Sequence, residues 1–210
     1  MCRWHDPDAL AEPEGQGIAM RFAIALSLLA AGAICVGAGV AEFLYGEFQQ
    51  HSLNRQWHLV SASVPVAPPE LPTGVVARMT FDRLGREVYV LGDEHPGNLK
   101  KGPVWLRATS SFAGNGNTVV AGHRATHFRF LKDVRLGDRF TVEDGKGQTR
   151  YRVREIRIVS PNDRSQLAPV KGQVVTLVTC YPFNAVGPAS RRMIVRAELV
   201  SRASTLVSTN

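Results

Sequence analysis

Cysteine is scarce in this sequence, and its distribution is uneven. The 210 residues contain three cysteines: Cys2 precedes a long apolar run, Cys35 lies within it, and Cys180 follows it. The chain after the apolar run therefore cannot form an internal disulfide. A lone thiol in such a domain is either buried and inert or held ready for chemistry.

Acidic residues are also few in the second part of the chain. Residues 61–210 carry 22 Lys and Arg against 12 Asp and Glu, a formal charge of about +10. The basic side chains are scattered, often at alternating positions such as Arg150, Arg152 and Arg154, and no aromatic residues interleave them. This pattern argues against nucleic-acid binding, which uses clustered cations and stacking rings.

One long segment lacks charge altogether. Phe22 to Val40 is an uncharged run of 19 residues, long enough to cross a hydrocarbon core. We predict a cytoplasmic tail over residues 1–21 and a transmembrane signal anchor over residues 22–45. A cleaved signal peptide is the competing interpretation, but the run is longer than a typical signal core.

The chain beyond the apolar run changes character twice. Residues 46–74 are predicted to be a helical extension followed by a proline-rich spacer, since proline excludes helix from Ser61 onward. A folded domain over residues 75–202 and a short tail over residues 203–210 complete the predicted organisation.

The folded domain has the pattern of short strands separated by turns. We predict about eight strands and one or two short helices, one of them at Thr126–Val134. This pattern indicates a mainly β fold, a closed or nearly closed barrel. The predicted strands are 75–81, 86–91, 118–121, 139–143, 149–159, 174–179 and 193–200.

Three strand ends carry reactive side chains. His123 follows the strand that ends in Gly122, Cys180 closes the run Thr176-Leu-Val-Thr, and Arg192 opens the last strand. A thiol nucleophile needs a group that manages its proton and a donor for the anion that forms when an amide is attacked. The three residues could supply these parts.

These motifs resemble those of the sortase family, closest to its class D and Gram-negative (class GN) types. The resemblance rests on Gly-His-Arg at 122–124, Thr-Leu-Val-Thr-Cys-Tyr-Pro-Phe at 176–183 and Arg-Arg-Met-Ile-Val at 191–195. It covers roughly residues 75–200. It implies an eight-stranded sortase barrel that needs no cofactor. A single-pass anchor in the cytoplasmic membrane would hold this barrel on the extracytoplasmic side.

The resemblance also implies an activity and its residues. Cys180 would attack the Thr–Gly bond of a Leu-Pro-x-Thr-Gly-like sorting signal in a substrate protein, and His123 would move the protons. Arg192, with Arg191 as the alternative, would bind substrate and stabilise the oxyanion. An amine at the cell envelope would then accept the acyl group. The rival functions are a hydrolytic cysteine endopeptidase and a non-catalytic envelope-binding module.

Some features depart from the family pattern or compete with it. Ala125 stands where relatives often have Asp, so a contact of that carboxylate is missing. Residues 103–122 contain no acid, which predicts no calcium dependence of the kind some class A sortases have.

Two further hypotheses concern possible ligands of the domain. His123, His127 and Cys180 could be ligands of zinc, an alternative we consider weak because no Glu follows His123. Glu70-Leu-Pro-Thr-Gly74 in the spacer is a near copy of a sorting signal. It raises the hypothesis of self-inhibition, although an ordinary linker is the simpler interpretation.

Overall fold

The computed structural model describes residues 14–63, 74–95, 97–185 and 187–204. The chain divides into two units, Met1–Leu44 and Tyr45–Asn210. Most of the proline-rich spacer, and with it the Leu-Pro-Thr motif, lies outside the described residues, as do the ends of both predicted tails.

The first element is a single helix, α1, which runs from Glu14 to Ser63 over 50 residues. Its segment Met20–Ala41 is long and apolar enough to cross a membrane, judged by length and composition. Apolar side chains of this segment, such as Phe22 and Leu29, are exposed. This agrees with a single-pass anchor, although a signal sequence has the same properties.

Eight strands close into a barrel in the order β1-β2-β3-β4-β7-β8-β6-β5. The pairs β2–β3 and β4–β7 are parallel, and the other neighbours are antiparallel. The predicted fold class is thus confirmed. The strands are β1 Val75–Phe81, β2 Arg86–Leu91, β3 Val104–Trp105, β4 Gly116–Gly122, β5 Arg139–Asp144, β6 Gly147–Val159, β7 Gln173–Tyr181 and β8 Arg191–Ser204.

The short helix predicted at Thr126–Val134 is confirmed, although it is shorter than predicted. The structure has turns followed by a 3-10 helix over Arg129–Asp133. Backbone bonds there span three residues, as from the Leu131 N–H to the Phe128 carbonyl at 3.1 Å. Phe128 and Leu131 are both fully buried, and residues three apart share a side of a 3-10 helix. Two other 3-10 turns cover Asn98–Lys100 and Ser165–Leu167.

Side chains fill the interior of the barrel. β1 alternates between buried and half-buried positions, and its residues Ala77, Met79 and Phe81 point inward. The rings of Phe81 and Phe140 stack with centroids 4.8 Å apart, and those of Phe140 and Tyr151 stack at 5.5 Å. This aromatic stack leaves the outward faces and the strand ends as places for function.

A second apolar cluster lies outside the barrel and includes the end of α1. Leu53 of α1 is 6% exposed and packs in this cluster with Tyr89 of β2. The Tyr89 hydroxyl donates to Asn54 Oδ1 at 2.7 Å. Gln50, Leu53 and Asn54 of α1 therefore contact the barrel. The other buried members of the cluster are Val75, Leu91 and Val104.

Gly122, the last residue of β4, lies in tight contact with the core. A Cβ on Gly122 would lie 2.6 Å from Cδ2 of the buried Phe128 ring. We expect Gly122→Ala to lower the free energy of unfolding by about 1–3 kcal/mol, the usual cost of overpacking. In the control Gly114→Ala, the nearest atom is the Ser111 hydroxyl at 3.2 Å, which can rotate away. Urea denaturation of both variants measures the difference, and equal stability would contradict this packing.

Candidate active site

The parallel pair β4–β7 brings two of the candidate residues together. The two strands stay in register over seven positions, ending with Gly122 opposite Thr179. The Thr179 hydroxyl, which is buried, donates to the Gly122 carbonyl at 2.7 Å. His123 follows Gly122 and Cys180 follows Thr179, so both lie at the same end of this strand pair.

The antiparallel strand β8 brings the third candidate. Arg192 is directly opposite Cys180 in the β7–β8 register. Leu177 of β7 and Val195 of β8, which also face each other, belong to the barrel core. Because side chains alternate along a strand and opposed residues share a face, Cys180 and Arg192 both point outward. Both are half-buried.

The same alternation separates the two arginines that open β8. Arg191 is opposite Tyr181, whose ring packs against the barrel core. Arg191 therefore leaves the sheet on the opposite face from Cys180. Arg192 is the arginine that the fold places beside the thiol, and its Nη1 donates to the Arg191 carbonyl at 3.2 Å.

The electrostatic surroundings of His123 favour its neutral form. His123 keeps an exposed surface, yet the protein around its ring partly desolvates it. This burial, followed by the positive charge of Lys100, lowers the pKa of His123 below its ordinary value. Because that value is about 6.5, the imidazole is mostly neutral at pH 7.

Arg124 ties the loop after His123 to the loop after Cys180. Its Nη2 donates to the Ala185 carbonyl at 2.9 Å and to the Gly187 carbonyl at 2.7 Å. Its Nη1 is buried and has no hydrogen-bond partner within the described parts of the chain. The side chain of Ala125, the next residue, offers no acceptor. The guanidinium thus fixes the segment between β7 and β8 beside the thiol.

Sequence reasoning missed the contribution of Asn117. This buried residue of β4 points outward, and its Nδ2 donates to the Gln166 carbonyl at 2.7 Å. Its Oδ1 accepts from the Thr176 hydroxyl of β7 at 2.6 Å. Asn117 thereby holds the segment between β6 and β7 against the outward face that carries Cys180. Its place in a Gly-rich stretch gave no sign of this role.

The zinc alternative finds no support in the geometry. His127 is buried, and its Nε2 lies 3.2 Å from the Lys100 carbonyl oxygen. Within the described residues, no three His, Cys, Asp or Glu side chains form a group that could hold a metal ion. His127 thus helps to anchor the turn that carries Lys100.

Comparison with known proteins identifies the family to which this fold belongs. The sequence model of the sortase domain matches residues 79–200, more than half of the chain. The chain belongs to the sortase family. Sortase D of Bacillus subtilis (strain 168) is 29% identical over 125 residues, which agrees with the resemblance to class D. That match covers 59% of this chain and 63% of the relative's length.

Solved sortase structures share the barrel. A structure of Streptococcus agalactiae sortase C1 in complex with MTSET superposes with a TM-score of 0.56 at 25% identity, covering 70% of this chain and 89% of that one. Sortase C-1 from Actinomyces oris gives 0.56 at 27% identity, covering 65% and 86%. Sortase A of Listeria monocytogenes, at 22% identity and a TM-score of 0.57, covers 62% and 90% and shows the fold alone.

The electrostatic effect of Lys100 on His123 can be measured directly. Removing the ammonium in Lys100→Ala removes one of the two causes that depress the pKa of His123. We expect that pKa to rise, while staying below its ordinary value because burial remains. NMR titration of the His123 ring measures the change. Lys146→Ala, in the β5–β6 turn, is the control and should leave the titration unchanged; an unshifted His123 in Lys100→Ala would refute the assignment.

Proposed function

We propose that this sortase is a cysteine transpeptidase that cleaves a Leu-Pro-x-Thr-Gly-like signal between Thr and Gly. Cys180 is the nucleophile, His123 the proton carrier and Arg192 the group that stabilises the oxyanion. The observation that carries the proposal is the strand register. It puts Cys180 opposite Arg192 and one residue beyond the Gly122–Thr179 pair.

The first half-reaction forms a thioester. His123, largely neutral at pH 7, accepts the proton of the Cys180 thiol as the sulfur attacks the carbonyl carbon of the signal threonine. The tetrahedral intermediate collapses when the C–N bond breaks. The imidazolium of His123 then protonates the leaving glycine amine, and the acyl group remains on the sulfur.

Arg192 acts on the charge that develops during this attack. The carbonyl oxygen becomes an anion in the tetrahedral intermediate, and a guanidinium can donate two hydrogen bonds to it or to the signal backbone. Arg192 points to the same outward face as Cys180 and belongs to a rigid strand. A donor on a strand needs little reorganisation when the charge appears.

The second half-reaction consumes the thioester. An incoming amine loses its proton to neutral His123 and attacks the thioester carbon, which releases the Cys180 thiolate; reprotonation of the sulfur by the imidazolium completes the cycle. Water in place of the amine gives hydrolysis. The hydrolytic endopeptidase is therefore the second candidate function, and the exposed surface of His123 favours it, because it leaves solvent a route to the ring.

The proposed setting follows from the apolar part of α1. Met20–Ala41 would anchor the enzyme in the cytoplasmic membrane, with the barrel on the extracytoplasmic side. The partners would be a substrate protein with a carboxy-terminal signal and an amine acceptor at the cell envelope. A membrane-tethered enzyme meets membrane-bound substrates at a high effective concentration.

The two neighbouring arginines provide a matched test of the oxyanion role. We expect Arg192→Ala to lower kcat/KM for a signal peptide by about 100-fold, the usual effect of losing a donor to an oxyanion. Arg191→Ala removes the same charge from the opposite face of the sheet and should cost less than about threefold. Steady-state kinetics on both variants decides, and the reverse order would assign the role to Arg191.

Trapping of the acyl-enzyme tests the reaction itself. Incubating the protein with a Leu-Pro-x-Thr-Gly peptide should add the mass of the acyl fragment to Cys180, and Cys180→Ala should show neither the adduct nor turnover. Added amine should divert the product from the free acid to the amide. Hydrolysis unaffected by amine would favour the endopeptidase. Full turnover by Cys180→Ala would overturn the assignment of the nucleophile.

A further inference from the structure

The barrel is weakly closed at β2. On one side this strand pairs with β1 along its whole length. On the other side it forms a single registered pair with the two-residue β3, Leu91 with Val104. The Leu91 N–H donates to the Pro103 carbonyl at 2.8 Å. Continued two residues back, this parallel ladder would join the Tyr89 N–H to the Lys101 carbonyl.

The side chain of Gln50 occupies that next position. Its Oε1 accepts from the Tyr89 N–H at 2.9 Å, and its Nε2 donates to the Lys101 carbonyl at 2.9 Å. A carboxamide offers one acceptor and one donor side by side, as a peptide group does. Gln50 therefore bridges β2 to the turn before β3 where a direct backbone bond is missing.

The surroundings of Gln50 fit this bridge closely. A Cβ on the buried Gly102 would lie 2.7 Å from Gln50 Nε2 and 3.0 Å from the Tyr89 carbonyl oxygen, so glycine leaves the room that the amide fills. Leu53 and Asn54, which contact the same strand, follow Gln50 by three and four residues. Residues at this spacing share one helix face, which makes the contact a defined docking surface.

The turn that Gln50 holds leads to the active site. The Lys101 carbonyl accepts a hydrogen bond from Gln50. The carbonyl oxygen of the preceding residue, Lys100, lies 3.2 Å from His127 Nε2. His127 lies four residues after His123, whose carbonyl accepts from the Phe128 N–H at 3.0 Å. The ammonium of Lys100 is the charged group that acts on the His123 ring. A short path thus joins α1 to the proton carrier.

We propose that Gln50 is a positioning residue: by bridging β2 to the turn 98–102, it holds Lys100 in place beside His123 and makes turnover depend on the docking of α1. The proposal rests on the role of His123 proposed above. Gln50 lies nine positions after Ala41, the end of the apolar segment, so the helix that would anchor the enzyme also contacts its barrel.

Other charged and titratable groups near His123 come from different elements. Arg124 follows it in the chain, Cys180 lies on β7 and Arg192 on β8. Within the described residues, the contacts of Gln50 are with Tyr89 and Lys101 and with none of these three. Loss of the bridge should therefore change the influence of Lys100 and leave the other three in place.

The test uses the full chain in lipid nanodiscs and three variants. Gln50→Leu keeps the size of the side chain and removes both hydrogen bonds. Gln50→Glu keeps the acceptor for the Tyr89 N–H and removes the donor to the Lys101 carbonyl. Arg55→Ala, an exposed position of the same helix, is the matched control. Hydrogen exchange at Tyr89, NMR titration of His123 and the separate values of kcat and KM are measured on each.

The expected results separate positioning from a general loss of structure. Gln50→Leu should exchange the Tyr89 amide about tenfold faster, as expected when one hydrogen bond of ordinary strength is lost. Its His123 pKa should rise, and its kcat should fall about three- to tenfold with KM nearly unchanged. Gln50→Glu should keep the protection of Tyr89 and still lose kcat, and Arg55→Ala should match the parent in every measurement.

Unchanged Tyr89 exchange and an unchanged His123 titration in folded Gln50→Leu would overturn the proposal. So would a fall in kcat that Arg55→Ala shares. If Gln50→Leu fails to fold, Gln50→Glu decides alone, and full kcat in that variant refutes the role. If the parent protein shows no transpeptidation, the proposed function fails, but Tyr89 exchange and His123 titration still test the bridge independently.

Discussion

The parallel pairing of β4 with β7 is the constraint on which the site depends. Parallel neighbours run in the same direction, so the residues that follow their last pair lie at the same end of the sheet. His123 and Cys180 therefore lie at one end of this pair although 57 positions separate them in the sequence. Two side-chain hydrogen bonds stabilise this register. The Thr176 hydroxyl donates to Asn117 Oδ1, and the Thr179 hydroxyl donates to the Gly122 carbonyl. A slip by one residue would turn one reactive side chain toward the packed interior.

Most of the barrel could be predicted from the sequence, because its strands are long enough to carry a pattern. β1 and β2 were predicted with their observed ends, and β7 and β8 were predicted shorter than they are. β3 was missed, since two residues hold no period. The short helix predicted at Thr126–Val134 is a 3-10 helix over Arg129–Asp133, and the spacing of its apolar residues does not distinguish that type from an α-helix.

The site was predictable where local motifs carry it and hidden where distant segments meet. The sequence points to Cys180 and His123 through their flanking residues, but it left Arg191 and Arg192 as alternatives. The register resolves which of the two shares the face of the thiol. Asn117 and Gln50 act through carbonyl groups far along the chain, and no sequence pattern marks such contacts. The role of Lys100 is also unmarked in the sequence, because its electrostatic effect on His123 depends on their distance in the folded protein.

The outward position of Cys180 determines what kind of molecule can reach it. The stacked rings of Phe81, Phe140 and Tyr151 lie inside the barrel, and the outward thiol faces away from this packed interior. A substrate of the proposed reaction would approach from the flank of the barrel, as an extended segment across β7 and β8. Only that segment has to be thin; whatever is attached to either end can be as bulky as a folded domain. If the proposed function holds, the enzyme would select its substrates by a flexible end, whatever the size of the folded part.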